Sequence, residues 1–123
     1  MSSDAKSILA PKWDGKQSSA GRYMAQVEAT AVYYDCGDAI ESSAVIPTKG
    51  EYDLAVGETN AGEKLTRKLY EQNRRICAMI VLGQQTDHGL ALLTKTKDAG
   101  HAHGRANLFL SQMRTRYTPN DTA

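Results

Sequence analysis

A helical repeat of apolar residues near the carboxyl end is the strongest constraint that this sequence places on its fold. The repeat stands at positions i, i+4, i+7 and i+11, which share one face of an α-helix, and comprises Ala106, Leu110, Met113 and Tyr117. Pro119 lacks the backbone amide that a longer helix would need, so we expect a helix from about His103-Gly104 to about Thr118. Its apolar face must be buried against other parts of the chain.

A second segment has the same period and predicts the first helix. The serine pair Ser18-Ser19 can cap its start, and the stretch Asp35-Cys36-Gly37 offers a stop. The predicted apolar face carries Tyr23, Val27, Ala31 and Tyr34. The opposite, polar face carries Arg22, Gln26 and Thr30.

The longest predicted helix runs from Asn60, with Glu63 placed to complete a capping box, to about Leu82. Large aliphatic residues fall near one face of this helix: Leu65, Leu69, Ile76 and Ile80. Residues 76–82 are apolar all round, which is typical of a buried helix or a buried strand. Because residues 76–82 continue the helical repeat of the residues before them, we favour a helix over a strand and expect it to be the central helix of a bundle.

Between Gly37 and Gly62 the helical period is lost. This stretch is longer than most connections in compact domains, so it contains either a short helix or an excursion on the surface, and the sequence leaves both open. Beyond the long helix, a shorter one is predicted between Thr86 and Gly100. Its apolar side carries Leu90 and Leu93.

Four main helices without strand alternation predict an all-α bundle. A chain of 123 residues is long enough for one domain whose core depends on neither disulfides nor a metal. We assign residues 13–119 to this domain. Residues 1–12 mix small, polar and charged types, and we expect them to form a flexible arm.

Composition argues against several classes of protein. The formal net charge of +1 gives no overall attraction for polyanions. The amino end lacks the apolar core of a signal peptide and the chain has two cysteines, so we expect a cytoplasmic protein. The longest apolar run, residues 76–82, is far shorter than the roughly 20 residues of a membrane span, so no membrane role is expected.

The sequence contains no recognisable catalytic or metal-binding pattern. His101 and His103 are two residues apart, and Cys36 and Cys77 are 41 apart, which matches no zinc site. We expect the histidines to lie exposed in a loop, Cys77 to be buried, and Cys36 to be the more exposed thiol, with Asp35 and Asp38 disfavouring its thiolate. Without a phosphate-binding glycine loop or an Asp-Thr/Ser-Gly triplet, we predict no cofactor and no enzyme activity.

A cationic cluster near the carboxyl end could contact a phosphate backbone weakly. It comprises Lys95, Lys97, Arg105, Arg114 and Arg116. Aromatic residues do not alternate with these cations, and Arg114 and Arg116 fall on the polar side of the last predicted helix. A solvated helix surface is therefore the stronger interpretation of this cluster.

Residues 12–40 and residues 91–121 are the two stretches with the most distinctive arrangement of turns and helices. Both resemble the Gag polyprotein of copia-type (Pseudoviridae) LTR retrotransposons. The first, KWDGKQSSAGRYMAQVEATAVYYDCGDAI, is similar to that family's aromatic-Asp-Gly turn and first helix. The second, ALLTKTKDAGHAHGRANLFLSQMRTRYTPND, is similar to its short helix, glycine-containing linker and closing helix. Tyr23 and Leu110 stand where the family has tryptophan, and Met113 stands where it has leucine. Together the two stretches cover about half of the chain.

This resemblance implies the N-terminal domain of a capsid protein, which assembles with copies of itself into virus-like particles around the element's RNA. It further implies that residues 120–123 begin a linker to a second domain, and that RNA is gripped mainly by a downstream region. The resemblance does not locate the assembly interface. We expect it on the polar face of the first helix, at Arg22, Gln26 and Thr30, because symmetric shells reuse exposed faces.

A second interpretation fits the same sequence. A small helical adaptor or binding module for protein or RNA partners, including a Gag-derived domain adopted by a host, would show the same periodicity and the same lack of catalytic motifs. The genes that follow in the same reading frame separate the two. A protease, an integrase and a reverse transcriptase indicate the mobile element, and their absence indicates the adaptor.

Overall fold

A computed structural model describes residues 10–56 and 60–117, and these residues form five α-helices and a short 3-10 turn without a β-strand. The helices are α1 (Gln17–Tyr33), α2 (Lys49–Leu54), α3 (Ala61–Gly83), α4 (Asp87–Thr94) and α5 (Ala106–Tyr117), and the 3-10 turn (Gly37–Ile40) follows α1. The predicted all-α class is confirmed. Residues 1–9 of the predicted arm and the whole predicted linker, residues 120–123, lie outside the described residues, as do Thr118 and Pro119 at the predicted end of the last helix.

α1 begins ahead of the serine pair that was predicted to cap it. The carboxylate of Asp14 accepts hydrogen bonds from the Lys16 amide (3.0 Å) and the Ser19 hydroxyl (2.6 Å), and this arrangement ties the preceding turn to the first turn of the helix. The serine cap is therefore wrong, because the serines lie inside the helix and Asp14 organises its start. The predicted apolar face is confirmed at Tyr23, Val27 and Ala31, which are buried, whereas Tyr34 follows the last residue of α1 and is half-buried.

The stretch between the first and third helices contains a short helix, one of the two alternatives that the sequence left open. α2 begins with a capping box, in which Thr48 Oγ1 accepts from the Glu51 amide (3.1 Å) and Glu51 Oε1 accepts from the Thr48 amide (2.8 Å). Tyr52 of α2 stacks on Tyr70 of α3 with ring centroids 4.3 Å apart. This stacking holds α2 against α3.

α3 buries its predicted face in its second half but not in its first turns. Leu65 is 51% exposed, while Tyr70 and Asn73 are buried. The prediction for Leu65 is wrong because the first turns of α3 extend beyond the core, whereas Ile76 and Ile80, on the same face farther along the helix, are buried. The run at residues 76–82 is also not buried all round, since Val81 and Leu82 are 45% and 62% exposed. The neighbouring elements cover only the other side of α3.

Aromatic side chains fill one end of the core. The ring of Trp13 stacks on Tyr23 with ring centroids 5.5 Å apart. It meets Tyr117 edge to face, with ring centroids 5.7 Å apart. Tyr23 in turn meets Phe109 edge to face at 6.4 Å. The predicted stripe of α5 is confirmed at Ala106, Leu110 and Met113, all fully buried, and Phe109 joins it.

Residues 10–13 lie against the end of α3. The Trp13 amide donates to the carbonyl of Gly83 (3.0 Å), and the Gln85 amide donates to the carbonyl of Trp13 (3.0 Å). At Gly83 the backbone of Pro11 comes so close that a Cβ atom would stand 1.9 Å from the Pro11 carbonyl oxygen. Only glycine permits this approach, which places Trp13 in the core.

Two glycine-to-alanine variants should therefore have opposite effects on stability. Gly83→Ala is expected to lower the free energy of unfolding by about 2–3 kcal/mol, because the new methyl group displaces the backbone of Pro11. Gly21→Ala, in α1 with open space around its Cβ position, should raise it by about 0.5–1 kcal/mol through better helix propensity. Urea denaturation measures both, and equal stability of the two variants would contradict the close approach at Gly83.

Candidate functional site

The residues predicted to form an assembly interface line one groove on the surface. Arg22, Gln26 and Thr30 lie along one flank of α1, and the groove, of about 850 Å³, is completed by residues 10–12 and the end of α3. Arg22 and Gln26 are exposed, whereas Thr30 is half-buried and donates its hydroxyl to the Gln26 carbonyl (2.7 Å). We call this the basic groove and define it by Lys12, Arg22, Gln26, Thr30 and Leu82.

The charges of the basic groove are only partly balanced. Lys12 and Arg22 are exposed and have no ion-pair partner among the described residues. The nearby carboxylate of Asp14 is held by the Ser19 hydroxyl and the Lys16 amide, and these hydrogen bonds lower the pKa of Asp14. Leu82 adds an apolar side chain that is 62% exposed. The groove thus offers two free cations beside an apolar contact.

A second depression lies on another flank of α1 and has the opposite charge. We call it the acidic depression; it has a volume of about 690 Å³ and is defined by Glu28, Val32, Asp35, Asp38 and Glu41. Arg114 pairs with Glu28 at 2.9 Å and Lys68 pairs with Asp38 at 3.0 Å. Asp35 and Glu41 are exposed without an ion-pair partner in the described part of the chain.

The predicted cationic cluster is divided by the fold. Arg105 pairs with Asp98 (3.3 Å) and donates to the Thr96 carbonyl (3.0 Å). Arg114 turns towards α1, where it pairs with Glu28. Both side chains therefore hold elements of this domain together.

The remaining three cations of that cluster, Lys95, Lys97 and Arg116, are exposed. Lys95 and Arg116 line a common shallow depression between α4 and α5. Neither of these two side chains pairs with a carboxylate in the described residues. A phosphate group could be attracted here, but only three of the five predicted cations remain exposed.

Neither cysteine is suited to be a nucleophile. Cys36 is fully buried, so the prediction that it is the more exposed thiol is wrong; the turn after α1 folds it into the core. Burial raises the pKa of Cys36 and raises that of Cys77 to about 12. Both groups are therefore thiols at neutral pH, and a thiol is a weak nucleophile.

One loop histidine is a structural residue. His101 Nε2 donates to the carbonyl of Ile46 (2.8 Å), and Nδ1 lies 2.8 Å from a carboxylate oxygen of Asp98. The expectation of an exposed side chain is thus wrong for His101 and right for His103. His101 joins the loop before α5 to the segment before α2. Within residues 10–56 and 60–117, no group of His, Cys, Asp or Glu side chains could hold a metal ion.

A third surface is apolar. Val45, Leu54 and Leu65 are 83%, 80% and 51% exposed. Val45 and Leu65 line a shallow depression together with Pro47 and Leu69. This surface lies near the first turns of α3, whereas Leu82 lies at its other end, about 25 Å away at a rise of 1.5 Å per residue.

Sequence reasoning missed the residues that accompany the predicted interface. Lys12 belonged to the predicted arm, and Leu82 belonged to a run predicted to be buried. Tyr33, 78% exposed, follows Gln26 by seven residues and so lies on nearly the same side of α1. The spacing of Arg22, Gln26 and Tyr33 was the only local signal for this group.

The chain matches no family model, no curated protein and no solved structure. Among the described helices, none combines the length and the apolar character that crossing a membrane requires.

Proposed function

We propose that this chain is a structural capsid (Gag) domain of a copia-type LTR retrotransposon, which assembles with copies of itself into cytoplasmic particles that enclose the element's RNA. The observation that carries the proposal is the distribution of exposed apolar side chains. They lie at the end of α1 (Val32, Tyr33), beside α2 (Val45, Leu54) and at the end of α3 (Leu82). The resemblance of the first and last helices to that family supports the same function.

This distribution suits a subunit of a shell because such a subunit must contact several neighbours at once. A binding module for a single partner needs one continuous surface, whereas a closed assembly uses several distinct patches on every copy. Single exposed apolar residues are common on protein surfaces. Here each group lies beside charged residues or a shallow depression, which is the arrangement of a small apolar centre with a polar rim.

We assign RNA enclosure to the assembled particle more than to this domain alone. A net charge of +1 supplies little of the counterion release that drives RNA binding. Lys95, Lys97 and Arg116 provide a weak local contact, since they are exposed cations at one end of α4 and α5. We propose no catalytic role, no cofactor and no metal.

Electron microscopy of the protein expressed from the complete reading frame that contains this chain tests the proposal. We expect regular shells, with co-purifying RNA that resists nuclease until the shells are dissociated. A protein that stays strictly monomeric at high concentration, and that captures no RNA, would contradict the capsid function and favour the adaptor.

A further inference from the structure

We infer that copies of this chain associate head to tail, with the basic groove of one copy seated on the acidic depression of the next. This inference rests on the proposed assembly and names its contact. The partner that the two surfaces fit is a second copy of the same chain.

The charges of the two surfaces are complementary. The groove is lined by two cations and one carboxylate, and that carboxylate, Asp14, is already occupied by hydrogen bonds within its own turn. The depression is lined by four carboxylates and two cations, and both cations are engaged by Glu28 and Asp38. Among the described residues, Lys12 and Arg22 therefore lack ion-pair partners on one surface, and Asp35 and Glu41 lack them on the other.

Each surface also offers an apolar side chain next to its free charges. Leu82 is 62% exposed in the basic groove, and Val32 is 65% exposed in the acidic depression. An apolar contact surrounded by complementary charges is the usual composition of a protein interface. RNA would be attracted to the groove alone, because the depression repels phosphate. A second copy satisfies both surfaces.

The geometry of α1 determines which assembly follows. Arg22 and Glu28, like Gln26 and Val32, are six residues apart, and a helix turns by about 100° per residue, so the two surfaces point about 120° apart. Surfaces that point this far apart do not both face one partner, so the contact is heterologous and not that of a two-fold dimer. Each copy keeps a free groove or a free depression for the next, so the contact generates a ring or a continuing array.

Sedimentation velocity with charge-reversal variants tests the contact. We expect the wild-type chain to associate at low salt and to weaken as salt shortens the Debye length from about 30 Å to about 3 Å. Arg22→Glu and Glu41→Lys should each weaken association at least about tenfold, because each places like charges together. The double variant R22E/E41K should recover association, since the pair is restored with its signs exchanged.

An equimolar mixture of R22E and E41K should also associate, because each variant then meets a complementary surface on the other. Lys97→Glu, exposed after α4 and outside both surfaces, makes the same charge change as Arg22→Glu and is the matched control; it should leave association within about twofold of wild type. The side chains of Arg22 and Glu41 have no hydrogen-bond or ion-pair partners among the described residues, so all variants should keep the wild-type circular dichroism and melting temperature.

Several outcomes would overturn the inference. A chain that is monomeric at low salt, an association that both single reversals leave unchanged, or an association lost on nuclease treatment would each exclude this contact. Shells that still form from the complete reading frame carrying R22E would overturn the contact while leaving the proposed function standing. Absence of shells from the unaltered frame would instead remove the proposed function.

Discussion

Replacing Trp13 by alanine is expected to lower the free energy of unfolding by about 4 kcal/mol, the largest effect of any single change we predict. The indole is 1% exposed, stacks on Tyr23 and meets the edge of Tyr117, so its removal leaves a large cavity between α1 and α5. Its Nε1 also donates to the carbonyl of Lys16 (3.1 Å). Urea denaturation followed by far-ultraviolet circular dichroism measures the loss.

Trp13→Phe is the matched control for this variant. Phenylalanine keeps most of the aromatic contact with Tyr23 but removes the hydrogen bond to Lys16, so we expect a loss of about 1–2 kcal/mol. A loss below about 1 kcal/mol for Trp13→Ala would show that residues 10–13 do not complete the core. Because Lys12 adjoins Trp13, the alanine variant should also disturb the basic groove.

Asn73→Ala is expected to lower the free energy of unfolding by about 3 kcal/mol. Asn73 lies in the middle of α3 and is 4% exposed. Its side chain hydrogen-bonds the backbone at the start of α5, more than thirty residues later in the sequence. Its Oδ1 accepts from the Ala106 amide (2.8 Å) and its Nδ2 donates to the carbonyl of Gly104 (2.9 Å). Removing the amide leaves two buried backbone groups without partners.

Asn60→Ala is the matched control for Asn73→Ala, because it removes the same side-chain amide at the exposed start of α3. Asn60 Oδ1 accepts from the amides of Gly62 and Glu63, but water can replace it there, so the expected loss is about 1 kcal/mol. The difference between the two variants in urea denaturation measures the effect of burial. Equal losses would contradict the buried hydrogen bonds of Asn73.

The local pattern of the sequence was sufficient to predict which faces of α1 and α5 are buried. Both were correctly predicted because helical periodicity depends only on neighbours three and four residues apart, and an unbroken apolar stripe leaves a single way to bury the helix. The polar flank with Arg22 and Gln26 followed from the same period. The buried start of α5 could not be predicted in this way. It depends on Asn73, which is polar and resembles a surface residue until its partners at Gly104 and Ala106 are known.

Tertiary structure decided everything that joins distant parts of the chain. Arg114 looked like a free surface cation, but it pairs with Glu28, which is 86 residues away in sequence. Cys36 and His101 looked exposed. Cys36 is buried in the core, and the His101 ring is hydrogen-bonded to the Ile46 carbonyl and to Asp98. Leu65 looked buried, but it lies in the first turns of α3, ahead of the part of that helix that the core covers.

The sequence by itself determined that this chain is helical and which sides of its first and last helices are apolar, because those properties depend on the spacing of nearby residues. Only the fold decided which charges remain free. Ion pairs with Asp98 and Glu28 balance the charges of Arg105 and Arg114. The same fold leaves Lys12 and Arg22 without an ion-pair partner on one flank of α1, and Asp35 and Glu41 on the other, among the described residues.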